Sequence, residues 1–157
     1  MAASTLCSRS PRAVPRERLR DWVTREGAVR TIEIGLGYGV SALFVCEGLR
    51  TNGDPTARHV VVDPYQATRF ANCGLQFLEE VGVAALVEYH PEQSQIALPR
   101  FVGEGRSFHL AFVDGNHRFD GVFLDLVYLG RLLRQEGSLL RTASARDTRP
   151  FAYYVDF

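Results

Sequence analysis

The stretch Thr31-Ile32-Glu33-Ile34-Gly35-Leu36-Gly37-Tyr38-Gly39-Val40-Ser41 constrains this chain more than any other. A short apolar run carries one acid and then breaks into alternating glycines. Apolar residues return at helical spacing after Gly39. The pattern predicts a strand, a tight corner and a helix start within about a dozen residues. Glycine admits positive φ and lets a ligand approach where a Cβ would block it. The corner delivers that ligand to the first free amides of a helix, which attract negative charge. The spacing E-x-G-x-G-x-G departs from the dinucleotide pattern G-x-G-x-x-G. An acid ahead of the first glycine would repel a pyrophosphate, whereas a cofactor with a cationic amino group would welcome it.

The rest of the chain predicts how this corner is framed. Pro15 suits a first helical position, and Leu19, Trp22 and Val23 follow at i, i+3, i+4 before Gly27. Thr31–Ile34 is the first strand, and Ser41–Leu49 a helix closed by Asn52-Gly53. His59–Asp63 is an apolar run ending in an acid, as in a strand buried on both faces. Phe70, Phe77, Leu78 and Val81 mark the next helix, and Val83–Tyr89 a third strand. Gln93–Val102 reads as a short helix interrupted at Pro99. Phe108–Val113 is a fourth strand, again followed by an acid, Asp114. Phe119–Leu133 is amphipathic, with Phe123, Leu126, Val127 and Leu133 on its apolar side. Glu136-Gly137 turns into a fifth strand, Ser138–Leu140. Alternation of this kind predicts an α/β fold with a doubly wound, mostly parallel sheet of about five strands. Such sheets bind ligands at the carboxyl ends of their strands, the edge where Glu33, Asp63 and Asp114 fall. Residues 1–14 read as a flexible tail, 15–141 as one domain, and 142–157 as an atypical tail whose alternating Phe151–Phe157 could add a short edge strand.

Composition narrows the partners. The 157 residues can bury a real core, and the formal net charge is zero, which gives no general attraction to nucleic acid or membrane. All 18 basic residues are arginine, a feature that no chemistry here requires. Seven arginines and three acids in the first 30 residues read as a solvated tail and helix face. Cys7, Cys46 and Cys73 lack metal-ligand spacing and suit free, mostly buried thiols in a reducing cytoplasm. No apolar run approaches the ~20 residues of a membrane span, and the N-terminus lacks the apolar core of a secretory signal.

Three motifs on successive strands, Glu33–Ser41, Val62-Asp63-Pro64 and Val113-Asp114-Gly115-Asn116-His117, resemble class I S-adenosylmethionine-dependent methyltransferases. Within that class the likeness is to small O-methyltransferases of the catechol O-methyltransferase type. It leans toward a bacterial branch that acts on small molecules such as macrolide sugars. It runs from about Arg16 to Leu140. The resemblance implies that Gly35, Gly37 and Gly39 line the methionine part of the cofactor. Glu33 would hold its amino group, and Ser41 would meet its carboxylate. Asp63 would take both ribose hydroxyls, although an acid before Pro64 also reads as a turn former. Pro91–Gln95 resembles the segment bordering the adenine and nominates Ser94 and Gln95; Ser94 reads equally as a helix N-cap. Asp114 would border the cofactor and begin a metal site, and His117 would be the base beside a small-molecule hydroxyl. Histidine suits that role because its unperturbed pKa lies near 6.5. A loop histidine on the surface is the plainer reading. His59, His90 and His109 read as structural.

The chain departs from the family in two places. The family's further metal-site acids should follow the fifth strand, but Arg141-Thr142-Ala143 stand there and no carboxylate appears until Asp147. Mg²⁺ usually takes one or two carboxylates in good octahedral geometry, so Asp114 alone argues against a strong magnesium site. The family fold also continues beyond the fifth strand, whereas 17 residues follow Leu140 here. That pattern suits a truncation or frameshift, and it leaves the fifth strand as an edge open to homodimerisation, with Phe151–Phe157 as an alternative cover. Two rival readings follow: a catalytically defective relic that binds cofactor or a partner, and an NAD-type dehydrogenase, which the glycine spacing and Glu33 disfavour.

Overall fold

The computed structural model describes residues 17–115, 119–141 and 155–156. Helix α1 (Glu17–Arg25) precedes strand β1 (Arg30–Ile34), and helix α2 (Val40–Asn52) leads to β2 (Arg58–Val62). Two short helices, α3 (Gln66–Arg69) and α4 (Cys73–Glu80), and a 3₁₀ turn at Ala84–Leu86 lead to β3 (Val87–His90). Then come α5 (Ser94–Gly103), β4 (Phe108–Val113), α6 (Phe119–Leu132), β5 (Leu133–Arg141) and β6 (Val155–Asp156). The sheet order is β3-β2-β1-β4-β5-β6. Neighbouring strands from β3 to β5 pair in parallel, and β6 joins β5 antiparallel. The doubly wound, mostly parallel α/β sheet expected from the alternating pattern is therefore present.

Alternation along each strand divides the core. Ile32, Ile34, Val60, Val62, Ala111 and Val113 pack with Phe101 of α5 and Leu129 and Leu132 of α6 on one face. Leu110 and Phe112 turn to the opposite face, against Leu19 and Val23 of α1 and Val45 and Leu49 of α2. Strand order reverses between β1 and β4, so the carboxyl ends of β1, β2 and β4 open a crevice there.

Five local expectations are corrected. The helix marked by Phe70, Phe77, Leu78 and Val81 is broken, because Ala71 and Asn72 take left-handed φ of 47° and 59° between α3 and α4. Phe70 lies in that break, edge-on to Tyr38 at 5.3 Å, and Val81 lies beyond the helix, 37% exposed. The third strand is shorter than expected, since Val83 is tied back to the Leu78 carbonyl and the 3₁₀ turn intervenes. Pro99 does not interrupt α5; burial of Ala97, Leu98 and Phe101 on both sides of it holds the helix together. The apolar face of α6 is Val122, Leu129 and Leu132, while Phe123 and Val127 are 59% and 41% exposed. Of the cysteines, Cys46 is buried but Cys73 is exposed, both free, and Cys7 lies outside the described residues.

The fifth strand begins earlier than Ser138, but its register shifts between the Phe108 and Leu110 pairings, and its regular ladder runs from Ser138 to Arg141. β6 pairs with Ser138 and Leu139, which fills at those positions the edge on which the expectation of homodimerisation rested.

One ion pair gives a pH prediction. Arg106 donates to both Glu88 oxygens, at 2.8 and 2.7 Å, and this holds the Glu88 carboxyl down at about 2, from an ordinary 4.5. A depressed carboxyl stabilises fully above its unfolded value and loses that contribution as pH falls through the folded one. The loss should therefore fall between pH 4.5 and about 2. The Glu88 side chain is 41% exposed, so screening keeps the effect below about 1 kcal/mol. Urea titrations of wild type and Glu88→Gln should differ at pH 6 and converge near pH 2.

Candidate functional site

The glycine corner is assembled by its neighbours. Gly35, Gly37 and Gly39 all take positive φ, at 92°, 54° and 80°. Gly35 meets the end of β4 so closely that a Cβ there would stand 2.8 Å from the Gly115 Cα and 2.9 Å from the Asp114 carbonyl oxygen. A Cβ on Gly39 would stand 2.8 Å from the Gly74 carbonyl oxygen, so Gly39 admits α4 rather than a ligand. At Gly37 a Cβ would meet nothing within 4 Å, which leaves open space beside that residue.

Asp63, 3% exposed at the end of β2, ties this corner to its own loop. Its Oδ2 accepts from the backbone amides of Leu36 (3.0 Å) and Gly37 (3.2 Å) and from Gln66 Nε2 (3.0 Å). Its Oδ1 accepts from the Tyr65 amide at 2.7 Å. Gln66 Nε2 also donates to the Gly37 carbonyl at 2.8 Å, so α3 is fastened to the corner from its first residue.

A cavity of about 600 Å³ opens beside this arrangement, within the range of small-molecule sites. Ile34, Gly35 and Gly37 line it from β1 and the corner, Asp63, Pro64, Tyr65, Arg69 and Phe70 from the segment after β2. Gln93, Ser94 and Gln95 line it from the start of α5, and Asp114 and Gly115 from the end of β4. Of the residues nominated from sequence, Gly35, Gly37, Asp63, Ser94, Gln95 and Asp114 thus converge. Ser94 is the first residue of α5 and not its cap, which is Gln93. His117 lies outside the described residues.

Glu33, Gly39 and Ser41 do not line the cavity. Glu33 points to the α2 face of β1 and is fully buried. Ser41 Oγ donates to its Oε1, and its Oε2 lies 3.0 Å from His59 Nε2. The other ring nitrogen, Nδ1, lies 2.9 Å from Thr31 Oγ1. Burial pushes the Glu33 carboxyl above its usual range, while His59 and Ser41 pull it back. Burial, with Glu33 nearby, also pushes the Cys46 thiol up to about 12, which leaves it no nucleophile at neutral pH.

Among the described residues no group of three or more His, Cys, Asp or Glu side chains is placed to hold a metal ion. Sequence reasoning missed Gln66, Tyr65, Arg69 and Phe70. Only Gln66, one helical turn beyond Asp63, had a spacing that could have exposed it. A smaller cavity of about 340 Å³ opens near Arg30, His109 and Arg134, at the amino ends of the strands. Its acid, Asp54, is occupied by the amide and hydroxyl of Thr56.

Comparison with known proteins agrees with this geometry. Residues 32–141 match the family described as a methyltransferase domain, and the chain belongs to that family. The O-methyltransferase TomG from Streptomyces achromogenes, involved in tomaymycin synthesis and solved with S-adenosylmethionine, is 25% identical with a TM-score of 0.72. That similarity covers 84% of this chain and 56% of TomG. An O-methyltransferase from Bacillus cereus in complex with S-adenosylhomocysteine shares the fold at 18% identity and TM-score 0.72, over 88% of this chain and 60% of the other. The S-adenosylhomocysteine-bound methyltransferase PaMTH1 from Podospora anserina shares it at 23% identity and TM-score 0.66, over 83% and 53%. This chain therefore spans little more than half the length of these relatives. No curated protein sequence matches it. The class I methyltransferase resemblance drawn from the three motifs holds for fold and family.

Proposed function

We propose that residues 15–141 bind S-adenosylmethionine in the 600 Å³ cavity and direct its methyl group to a hydroxyl of a small molecule. The observation carrying this is the convergence of a glycine corner, Asp63, Ser94-Gln95 and Asp114 from four chain segments on one crevice. The donor set suits the cofactor. Asp63 Oδ1, with one amide bond among the described residues, retains a lone pair for a ribose hydroxyl. Ser94 and Gln95 offer a hydroxyl and an amide to a base edge, and Pro64 offers apolar surface. The open space at Gly37 gives room for chain atoms to lie along the corner.

When bound, the cofactor supplies a methyl group already activated by its sulfonium. The protein's task is then alignment and proton removal. Asp114 lines the cavity, where its carboxylate would favour the cofactor's positive charge. In this reading His117 accepts the hydroxyl proton. Asp114 by itself would hold Mg²⁺ weakly, and the described residues add no metal cluster to it. The partners in this reading are a small-molecule acceptor and, at most, a second copy of the chain, in the cytoplasm; zero net charge gives no pull toward nucleic acid. No described helix is long and apolar enough to cross a membrane.

Calorimetric titration with S-adenosylhomocysteine tests the reading. Micromolar binding is expected, and Asp63→Ala should weaken it by roughly 1.5–3 kcal/mol, since both ribose contact and corner geometry depend on that carboxylate. Absence of binding by folded wild-type protein ends the proposal. Turnover on a panel of phenols and sugar hydroxyls, with and without Mg²⁺, then separates an active transferase from a binding domain.

A further inference from the structure

We propose that Arg69 is the specificity-determining residue for the amino-acid tail of the nucleoside ligand, gripping its carboxylate at the glycine-corner end of the cavity. This rests on the binding reading above and adds to it which end of the ligand is recognised, and by what.

Arg69 is the cation among the described cavity-lining residues, which also include the acids Asp63 and Asp114. A carboxylate entering such a crevice is repelled by both acids and attracted to that one guanidinium. The ion pairs of the described arginines involve Arg20, Arg25, Arg100 and Arg106, which leaves Arg69 without a carboxylate partner among the described residues. Its guanidinium carbon instead lies 5.3 Å from the Tyr65 ring centroid, and Tyr65 also lines the cavity. Stacking on a ring fixes the plane of the guanidinium while leaving its edge donors for a planar anion.

The position of α3 decides which end of the ligand Arg69 meets. At the start of the helix, Gln66 is bonded to the Gly37 carbonyl. Just past its end, Phe70 packs edge-on against Tyr38 of the corner, with centroids 5.3 Å apart. Arg69 lies between two attachments to the glycine corner, whereas Ser94 and Gln95 enter the cavity from a different segment, the start of α5. The groups that the family resemblance assigned to the tail, Glu33 and Ser41, bond to each other beneath α2 and are absent from the lining. The tail's carboxylate therefore has Arg69 as its charged partner on the cavity wall.

The test compares two ligands that differ only in the tail. S-Adenosylhomocysteine carries the amino-acid group, and 5′-methylthioadenosine replaces it with a methyl. Both are titrated by calorimetry into full-length wild type, Arg69→Gln and Arg69→Lys, with circular dichroism confirming the fold of each. Arg69→Gln should weaken S-adenosylhomocysteine about tenfold, as expected when a charge-assisted bond is lost, and leave 5′-methylthioadenosine unchanged. Arg69→Lys should recover part of the loss, and the wild-type advantage should shrink at high salt. Equal weakening of both ligands would assign Arg69 a merely structural part, and unchanged S-adenosylhomocysteine affinity would make it a solvated side chain; either overturns the proposal. Failure of wild type to bind S-adenosylhomocysteine would instead remove the underlying binding reading, and shows in the first titration.

Discussion

Glu33→Ala should destabilise the fold by about 3–5 kcal/mol, the combined cost of stranding buried hydrogen-bonding groups and of the cavity left behind. Glu33 and His59 have no solvent exposure, so nothing replaces the lost contacts. The substitution strands His59 Nε2 and the Ser41 hydroxyl in the interior and opens a cavity between β1 and α2. Equilibrium denaturation by guanidinium measures this, and a loss below 1 kcal/mol would mean that the pair contributes little. Glu33→Gln preserves the shape and isolates the charge. Burial raises the Glu33 carboxyl above its ordinary 4.5, so the folded protein holds that proton more tightly than the unfolded chain does. The associated stabilisation is complete below pH 4.5 and is lost as pH climbs through the raised folded value. Glu33→Gln should flatten that part of the stability–pH curve.

Gly35→Ala should be nearly as damaging, for a different reason. Its φ of 92° is strained for any L side chain, at about 1–3 kcal/mol. The added methyl would also stand 2.8 Å from the Gly115 Cα and 2.9 Å from the Asp114 carbonyl oxygen, both backbone atoms that cannot swing aside. Overpacking of this kind adds about 1–3 kcal/mol. The corner can relieve it only by separating from the end of β4, which pulls Asp114 away from Gly37. Ligand affinity should therefore fall with stability. Gly37→Ala is the control, because its Cβ meets no atom within 4 Å and costs only the left-handed backbone, about 1–2 kcal/mol. Equal losses from the two substitutions would refute the packing explanation.

These two residues mark how far the sequence could be read. The glycine corner and the apolar runs ending in Asp63 and Asp114 were legible because buried parallel strands need unbroken apolar runs and tight turns need positive φ. The convergence of Gly35, Asp63, Ser94 and Asp114 followed from the strand order. The direction in which a side chain hydrogen-bonds was not legible. Glu33 occupies its expected strand yet turns toward Ser41 and His59, because alternation puts it on the α2 face, opposite Ile32 and Ile34. Sequence spacing pairs a ligand with an acid but cannot register that a histidine on the next strand reaches it first. Periodicity fixed the existence of α6 and misjudged its rotation: Phe123 and Val127 are the more conspicuous apolar residues, but Val122 and Leu129 fit the surface the sheet offers. Arg69 and Phe70 were invisible because they line the cavity beside a break at Ala71-Asn72 that no glycine or proline announces.

The two described thiols give the molecule an internal pair of alkylation probes. Cys73 is open to a maleimide in the native state, whereas Cys46 is sealed on the inner face of α2 with its proton held tightly. Slow modification of Cys46 would time the lifting of α2 from the sheet, with Cys73 serving as the fast internal standard. Occupancy of the crevice would then register as a longer half-life of the sealed thiol, which offers a way to screen for ligands before any acceptor is known.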